Sequence, residues 1–186
     1  QVSMSPHGHL LVIDTNVALH QIDVLEYDCP ATSLIIILQT VLQELRKLNL
    51  SVYRRLMTLL ENEKKMYIYY PNEFSSDTLV VRKVNESIND ANDRAIRTAC
   101  AYFQNCLDDN GTVILMSNDQ DNRKKASEDL HITSYTMRAY VEKFLNDYPE
   151  LIDLLPSNDI SSNEDENYMF KHLNDMGNKG GKIMQL

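Results

Sequence analysis

Short, uninterrupted apolar runs alternate along this chain with segments of helical periodicity. The runs Leu10–Ile13 and Leu34–Leu38 contain no polar residue, and the first stops abruptly at Asp14. Such runs are typical of strands buried on both faces, as in parallel sheets. Strands that alternate with amphipathic helices predict an α/β fold. We therefore expect a three-layer sandwich in which helices cover both faces of a central parallel sheet of about five strands.

The same patterns predict the order of the elements. Predicted strands cover residues 9–13, 34–38, 67–70, 113–116 and 132–134, and residues 78–89 are predicted as a loop with at most a short strand at 79–81. Predicted helices cover residues 17–25, 40–47, 52–63, 122–130 and 137–147. Another helix, capped by Asn89 or Asp90, runs to about Cys106, and a turn follows at Asp108–Gly111.

The composition changes near residue 156. From Ser157 onward Ser, Asn, Asp, Glu and Gly dominate, and the apolar periodicity fades. A chain of 186 residues suits one globular domain with a modest tail. We expect one domain over residues 9–155 and a flexible linker over residues 156–186 that leads towards further domains.

Charge and cysteine content limit the classes of function. The chain has 18 Lys plus Arg against 27 Asp plus Glu, which gives a net charge of −9. This negative charge argues against broad, non-specific electrostatic binding of nucleic acid. An acidic pocket filled by cations would still accept nucleic acid, because the bound ions reverse the sign of the local charge.

No apolar run approaches the roughly 20 residues of a membrane span. The three cysteines form no Cys-x-x-Cys pair, so we expect a reducing compartment, cytosol or nucleus.

Four acidic residues form a candidate site. Asp14 and Asp119 each follow a predicted strand, and the carboxyl ends of parallel strands open onto the crevice where ligands bind. Glu44 on the helix after the second strand, and Asp93 in the expected first turn of its helix, can reach the same crevice. Carboxylates that share a crevice repel one another unless a cation lies between them, and an oxygen-only ligand set favours Mg²⁺ or Mn²⁺. One or two such ions would activate water for hydrolysis of a nucleic acid phosphodiester.

Each acid also has an ordinary structural explanation. Asp14 and Asp119 could simply cap helices or turns, and Glu44 could lie on a solvated helix face. Asp93 could be a favourable charge in the first turn of a helix.

The neighbours of the acids have secondary candidate roles. Asp90 is a candidate cap, and Arg94 and Arg97 are candidates for contacts with RNA phosphates. The candidate hydrogen-bond partners that orient the carboxylates are Thr15, Asn16 and Ser117. An i,i+4 ion pair between Asp93 and Arg97 is the plainer account of Arg97.

The order and spacing of these residues resemble PIN-domain nucleases. The resemblance is carried by Leu-Val-Ile-Asp14-Thr15-Asn16-Val, by Glu44, by Asn92-Asp93-Arg94-Ala95-Ile96 and by Ser117-Asn118-Asp119. The stretches 19–26, 37–44 and 52–53 are similar to the PIN domain near the N-terminus of RNase II-like exosome subunits. Two positions depart from that pattern, because Ser117 stands where Thr is common and Gln120 where Arg is common.

The resemblance implies an activity, a metal and partners. It implies a Mn²⁺- or Mg²⁺-dependent endoribonuclease that cleaves single-stranded RNA, leaves 5′-phosphate and 3′-hydroxyl ends, and uses Asp14, Glu44, Asp93 and Asp119 as metal ligands. It further implies docking onto the ring subunits of the exosome in RNA processing and decay, a location in the nucleus and nucleolus and also in the cytoplasm, and a 3′–5′ exoribonuclease activity in the full-length protein. We expect the fragment alone to be monomeric and not bound to membranes.

Two other functions remain open at the level of sequence. The chain could be a catalytically weak module that anchors the ribonuclease subunit to the exosome core. It could also transfer phosphoryl groups through an aspartyl nucleophile at Asp14, but such enzymes need a second Asp two residues later, where this chain has Asn16.

Overall fold

The computed structural model describes residues 8–29, 34–107 and 111–156. These residues form five strands and seven helices. In chain order they are β1 (His9–Ile13), α1 (Thr15–Glu26), β2 (Leu34–Leu38), α2 (Gln39–Leu48), α3 (Leu50–Leu60), β3 (Met66–Tyr70), α4 (Ile88–Cys106), β4 (Thr112–Met116), α5 (Gln120–Leu130), β5 (Thr133–Tyr135), α6 (Met137–Phe144) and α7 (Glu150–Asp153).

The five strands form one parallel sheet in the order β3-β2-β1-β4-β5. The chain moves from β1 outwards through β2 to β3 and then returns to the other side of β1 for β4 and β5. The strand order therefore reverses between β1 and β4, and parallel α/β sheets bind ligands at the carboxyl ends of the strands at such a point.

Apolar strand residues place the core on both faces of the sheet. All five residues of β2 are buried, as are the last four residues of β1 and of β4. This burial confirms the predicted parallel sheet with helices on both faces, because a strand without polar alternation needs a cover on each side. None of the helices in the described part of the chain is long and apolar enough to cross a membrane.

The segment between β3 and α4 is a loop, as the sequence predicts, but two details of it differ from the prediction. No strand forms at residues 79–81, where the side chains of Leu79 and Val81 are 53% and 76% exposed and so lack a covering layer. The helix that follows is capped by Ser87 rather than by Asn89 or Asp90, because the Ser87 hydroxyl accepts a hydrogen bond from the Asp90 amide. Asp93 consequently lies in the second turn of α4, not in the first.

The ends of α3 and α6 also differ from the prediction. The helix α3 begins after Asn49, whose side chain caps it, and ends at Leu60 instead of residue 63. The helix α6 ends at Phe144 because Leu145 leaves the helical conformation, and the short helix α7 follows. The predicted turn at Asp108–Gly111 lies mostly outside the described residues, as does the predicted linker apart from Pro156.

Candidate active site

Asp14 is fixed at the carboxyl end of β1 by hydrogen bonds to both of its carboxylate oxygens. Its Oδ1 accepts the Thr15 amide at 2.6 Å, and its Oδ2 accepts Ser117 Oγ at 2.6 Å, Asn122 Nδ2 at 3.0 Å and Asn16 Nδ2 at 3.2 Å. Asp14 is 3% exposed and is also the N-cap of α1. The side chain is therefore buried and held in one orientation, so its position does not depend on a ligand.

Glu44 reaches the same edge of the sheet from α2. Its Oε2 accepts the Thr15 hydroxyl, and its Oε1 accepts Asn92 Nδ2 from α4 at 2.7 Å. Thr15 thus contacts two of the acids, because its backbone amide binds Asp14 and its hydroxyl binds Glu44. These contacts join the residues that follow β1 and β2, as the order of the strands predicts.

Asn122 connects the remaining acids. Its backbone amide donates to Asp119 Oδ1 at 2.8 Å, which makes Asp119 the N-cap of α5. Its side-chain nitrogen donates to Asp14 at 3.0 Å and more weakly to Asp93 Oδ1 at 3.5 Å, and its oxygen accepts Arg97 Nη1 at 2.6 Å. Asn122 is 1% exposed. One buried residue therefore contacts three of the four predicted acids through its backbone and side-chain amides, and it also contacts Arg97.

Burial and mutual repulsion disfavour the charged forms of these acids. Burial raises the pKa of Asp14, although the hydrogen bonds from Ser117 and Asn122 oppose the shift. Burial likewise raises the pKa of Glu44, and the charge of Asp14 adds to the effect. The pKa of Asp93 rises from 3.8 to about 8, first because of burial and then because of the charges of Asp14, Asp119 and Glu44. Without a cation, the site holds more negative charge than its surroundings stabilise.

The predicted arginines have other contacts. Arg94 bonds to Glu86 through Nε at 2.8 Å and to the Val81 carbonyl, so it fixes the loop before α4 and gives no structural support to a phosphate contact. The predicted ion pair of Asp93 with Arg97 does not form among the described residues, because Arg97 donates to Asn122 instead. Asp90 accepts the Ser87 hydroxyl at 2.6 Å and supports the start of α4.

The four acids provide the oxygen ligands that a hard cation prefers, but they do not form a complete coordination shell by themselves. In the part of the chain that the structure describes, no three His, Cys, Asp or Glu side chains lie at metal-ligand spacing. The available donors are carboxylate oxygens, which Mg²⁺ and Mn²⁺ prefer, and both ions usually keep several waters. A cation held partly through water would stabilise the charged form of Asp93, whose pKa is raised first by burial and then by the charges of the neighbouring acids.

Sequence reasoning missed two amides in this site, Asn92 and Asn122. Asn92 stands beside Asp93 in the motif, and Asn122 follows Asp119 by three residues, a spacing that signals a helix cap. That spacing accounts for the backbone contact of Asn122. Its side-chain contacts to residues 14 and 93 depend on the packing of α4 against α5 and have no local signal.

The chain belongs to the PIN-domain family: the family profile described as PIN domain matches residues 11–137. It is 42% identical over 169 residues to the human protein named exosome complex exonuclease RRP44, and 41% identical over 158 residues to the Arabidopsis thaliana protein named exosome complex exonuclease RRP44 homolog A. These alignments cover 88% and 84% of this chain. The chain is thus similar to one segment of proteins named as exosome exonucleases.

The chain corresponds to a small part of each of these relatives. It spans 17% of the length of the human protein and 16% of the length of the plant protein. Among solved structures, the chain resembles one titled structure of the T. brucei RRP44 PIN domain, with a TM-score of 0.67 and 23% identity over 82% of this chain and 87% of that one. This similarity confirms the fold.

Proposed function

We propose that this domain is a metal-dependent endoribonuclease that cleaves single-stranded RNA by activated-water hydrolysis of the phosphodiester. The observation that carries the proposal is the gathering of Asp14, Glu44, Asp93 and Asp119 at the carboxyl edge of the sheet, with a pKa of about 8 for Asp93. A purely structural role would not need a buried carboxyl group with three acidic neighbours, because each buried charge costs stability.

The four acids would hold one or two Mn²⁺ or Mg²⁺ ions. When bound, the ion supplies a water nucleophile at neutral pH and stabilises charge on the phosphate oxygens. Asp14 contributes a fixed carboxylate, since its two oxygens already accept four hydrogen bonds. Asp93 would hold the ion as a carboxylate, because a positive charge would offset the burial and the negative neighbours that favour its neutral form.

The neighbours of the acids keep the carboxylates in place. Ser117 and Asn16 orient Asp14, Thr15 joins Asp14 to Glu44, and Asn122 spans the crevice between α4 and α5. Arg97 in turn fixes the amide of Asn122. Such partners of metal ligands often change metal affinity or activity 10- to 100-fold when they are replaced.

The similarity to exosome exonucleases extends the proposal. We propose that cleavage leaves 5′-phosphate and 3′-hydroxyl ends, that the ring subunits of the exosome are partners, and that the full-length protein works mainly in the nucleus and nucleolus. A 3′–5′ exonuclease activity would belong to segments outside this domain, which we place at residues 9–155.

Cleavage of a circular single-stranded RNA tests the proposal directly. A circle has no ends, so every linear product reports an internal cut. We expect cleavage with Mn²⁺, slower cleavage with Mg²⁺ and none with a chelator. Asp119→Asn should remove activity, whereas Asp129→Asn, on the exposed side of α5, is the matched control. Full activity in the presence of chelator would contradict the metal hypothesis.

A docking module is the second candidate function, and an exposed apolar surface favours it. The loop between β3 and α4 carries four largely exposed apolar side chains, and the first residue of α4 adds a fifth: Phe74, Leu79, Val81, Val84 and Ile88. Exposed apolar patches often mark protein interfaces. The double variant Phe74→Ser and Val84→Ser should weaken binding to purified exosome ring if this surface docks. Asp119→Asn should leave that binding unchanged, which separates docking from catalysis.

A further inference from the structure

A cavity lies at the carboxyl edge of the sheet, between the segments that follow β2 and β3 and the start of α4. Its volume is about 270 Å³, just below the roughly 300–1,000 Å³ of sites for drug-sized ligands. We call it the β2–β3 cavity, and the residues that define it are Thr40, Glu73, Leu79, Arg82, Ile88 and Asn92. Because Thr40 follows β2 and Glu73 follows β3, the cavity lies on the same edge of the sheet as the acids that follow β1 and β4.

One side chain joins the wall of this cavity to the acidic site. Asn92 lines the cavity, and its Nδ2 donates to Glu44 Oε1 at 2.7 Å. Thr40, another lining residue, lies one turn before Glu44 on the same face of α2. Neighbouring strands lie about 4.8 Å apart, so the ends of β1 and β3, with β2 between them, are separated by roughly 10 Å. A nucleic acid strand that crosses this edge therefore reaches both the carboxylates and the cavity.

Glu73 gives the cavity wall a fixed hydrogen-bond acceptor. Its Oε1 accepts the Thr40 hydroxyl at 3.2 Å, and its Oε2 accepts Gln43 Nε2 at 3.1 Å. Asn72 Nδ2 in turn donates to the Thr40 hydroxyl at 2.8 Å and holds it in place. Each carboxylate oxygen can accept a further hydrogen bond, and Glu73 forms no ion pair with any described residue. An unpaired carboxylate of this kind repels a phosphate and suits a neutral hydroxyl donor.

The remaining wall favours a sugar over a base. On the side of α4 and the preceding loop it is aliphatic, with Leu79 and Ile88, and the described residues that line it include no aromatic ring. Unpaired bases usually stack on aromatic rings. Arg82 is exposed beside the cavity, where its Nε donates to the Glu86 carbonyl at 2.7 Å and its terminal nitrogens have no partner among the described residues. These nitrogens can contact the phosphate next to a bound sugar.

The chemistry of the proposed reaction requires a separate contact for selectivity. Its nucleophile is a water molecule, so the 2′-hydroxyl of RNA takes no part in breaking the bond, and DNA offers the same phosphodiester. A preference for RNA must then come from binding, and the 2′-hydroxyl is the group that distinguishes the two nucleic acids. Carboxylates bind ribose hydroxyls in dinucleotide-binding α/β folds. A site built to bind a hydroxyl discriminates against an analogue that lacks it.

We propose that the β2–β3 cavity binds the ribose of one nucleotide close to the cleaved phosphodiester and so makes the domain selective for RNA over DNA. The 2′-hydroxyl donates to the Glu73 carboxylate, the sugar packs on Leu79 and Ile88, and Arg82 contacts the adjoining phosphate. Glu73 is thus a specificity-determining residue outside the group of acids that would hold the metal. This inference rests on the proposed function for the identity of the ligand as RNA.

Binding without cleavage tests the inference on the whole chain. The probes are two fluorescent oligonucleotides of one sequence, RNA and its 2′-deoxy-2′-fluoro analogue, which lacks only the hydroxyl donor, measured by anisotropy in chelator at low salt. We expect roughly tenfold tighter binding of the RNA, in line with a hydrogen bond to a charged group. Glu73→Ala should abolish this preference, and Glu73→Gln, which keeps a neutral acceptor, should retain part of it. Equal affinities for the two probes in the wild type would overturn the inference.

Matched variants separate the contacts. Glu63→Ala removes a carboxylate from an exposed position just before β3, at the opposite edge of the sheet, and should keep the full preference. Arg82→Gln should weaken binding of both probes equally, while Arg54→Gln, at an exposed position of α3, should not weaken either. An unchanged preference for RNA in Glu73→Ala and Glu73→Gln would overturn the inference. If these variants also bind the exosome ring more weakly, the cavity belongs to a protein partner instead.

Circular substrates distinguish failure of this inference from failure of the proposed function. If the domain cuts an RNA circle and its 2′-fluoro analogue equally well, the endonuclease proposal stands and the ribose site is wrong. If no circle is cut but the wild type prefers RNA through Glu73, the ribose site stands and the endonuclease proposal is wrong.

Discussion

Asn122 is the residue on which the geometry of the acidic site most depends. We expect Asn122→Ala to lower the free energy of unfolding by about 1–3 kcal/mol, because it leaves Arg97 and Asp14 with unmet hydrogen bonds in a buried place. Cleavage of circular RNA should fall strongly as the carboxylates lose their common contact. Denaturant melts in chelator measure the stability. Asn105→Ala, at an exposed position of α4, is the control, and an equal loss in both variants would contradict the role of Asn122.

Asp93 should make the metal-free fold sensitive to pH. Its pKa is about 8 in the folded chain and near 3.8 when unfolded, so the folded state holds the proton over the interval between them. Raising the pH through that interval therefore costs stability. Asp93→Asn should flatten this decline and stabilise the metal-free fold above pH 8 by at least about 1 kcal/mol, since one pKa unit corresponds to 1.36 kcal/mol. Thermal melts in chelator from pH 5 to about 9 measure it, and parallel curves for the two proteins would refute it.

Individual residues also show where sequence reasoning succeeds. Asp14 and Asp119 were placed correctly at one edge because each follows an apolar strand, a signal contained in a few consecutive residues. The sequence indicated that the carboxylates repel one another, but burial is the largest cause of the raised pKa values of Asp14, Glu44 and Asp93. Burial of a side chain depends on helices that are distant in sequence, so no local pattern could reveal it.

At the scale of elements, the position of Asp93 depends on how α4 begins. Ser87→Ala should lower the free energy of unfolding by about 1 kcal/mol, because the hydroxyl that accepts the Asp90 amide is lost. It should also reduce cleavage, since Asp93 lies in the second turn of this helix. Denaturant melts and the circular RNA assay measure the two effects. Ser127→Ala, at an exposed position of α5, should change neither, and a similar loss there would show that the cap is not the cause.

Strands were predicted better than the ends of helices. The bounds of β1 and β2 agree with prediction because a run of Leu, Ile and Val buried on both sides has no other stable environment. The start of α2 has no such signal, since its N-cap residue Leu38 offers no side-chain hydrogen bond. Asn72, which follows β3, accepts the Thr40 amide instead at 3.2 Å and donates to the Thr40 hydroxyl at 2.8 Å. Such a cap, 32 residues away, cannot be read from the sequence around α2.

For the whole molecule, cation binding and folding should be linked. Mn²⁺ that binds only the folded chain raises its stability by about 2.7 kcal/mol at 100 times its Kd. Because carboxylates must lose their protons to bind metal, the shift in Tm should be larger at pH 8 than at pH 6. Melting curves with and without Mn²⁺ at the two pH values measure this. A shift that is the same at both, or equal in Asp93→Asn, would count against a cation at these acids.

The double role of Asp14 and Asp119 has a consequence for genetics. Each carboxylate starts a helix, α1 or α5, as well as facing the crevice. An alanine allele at either position removes a helix cap, at a cost of about 1 kcal/mol, together with the negative charge. Such an allele lowers the amount of folded protein in the cell as well as its activity, since losses of this size change abundance. Alleles that encode asparagine keep a capping oxygen, so their phenotypes report the chemistry of the site with far less contribution from protein turnover.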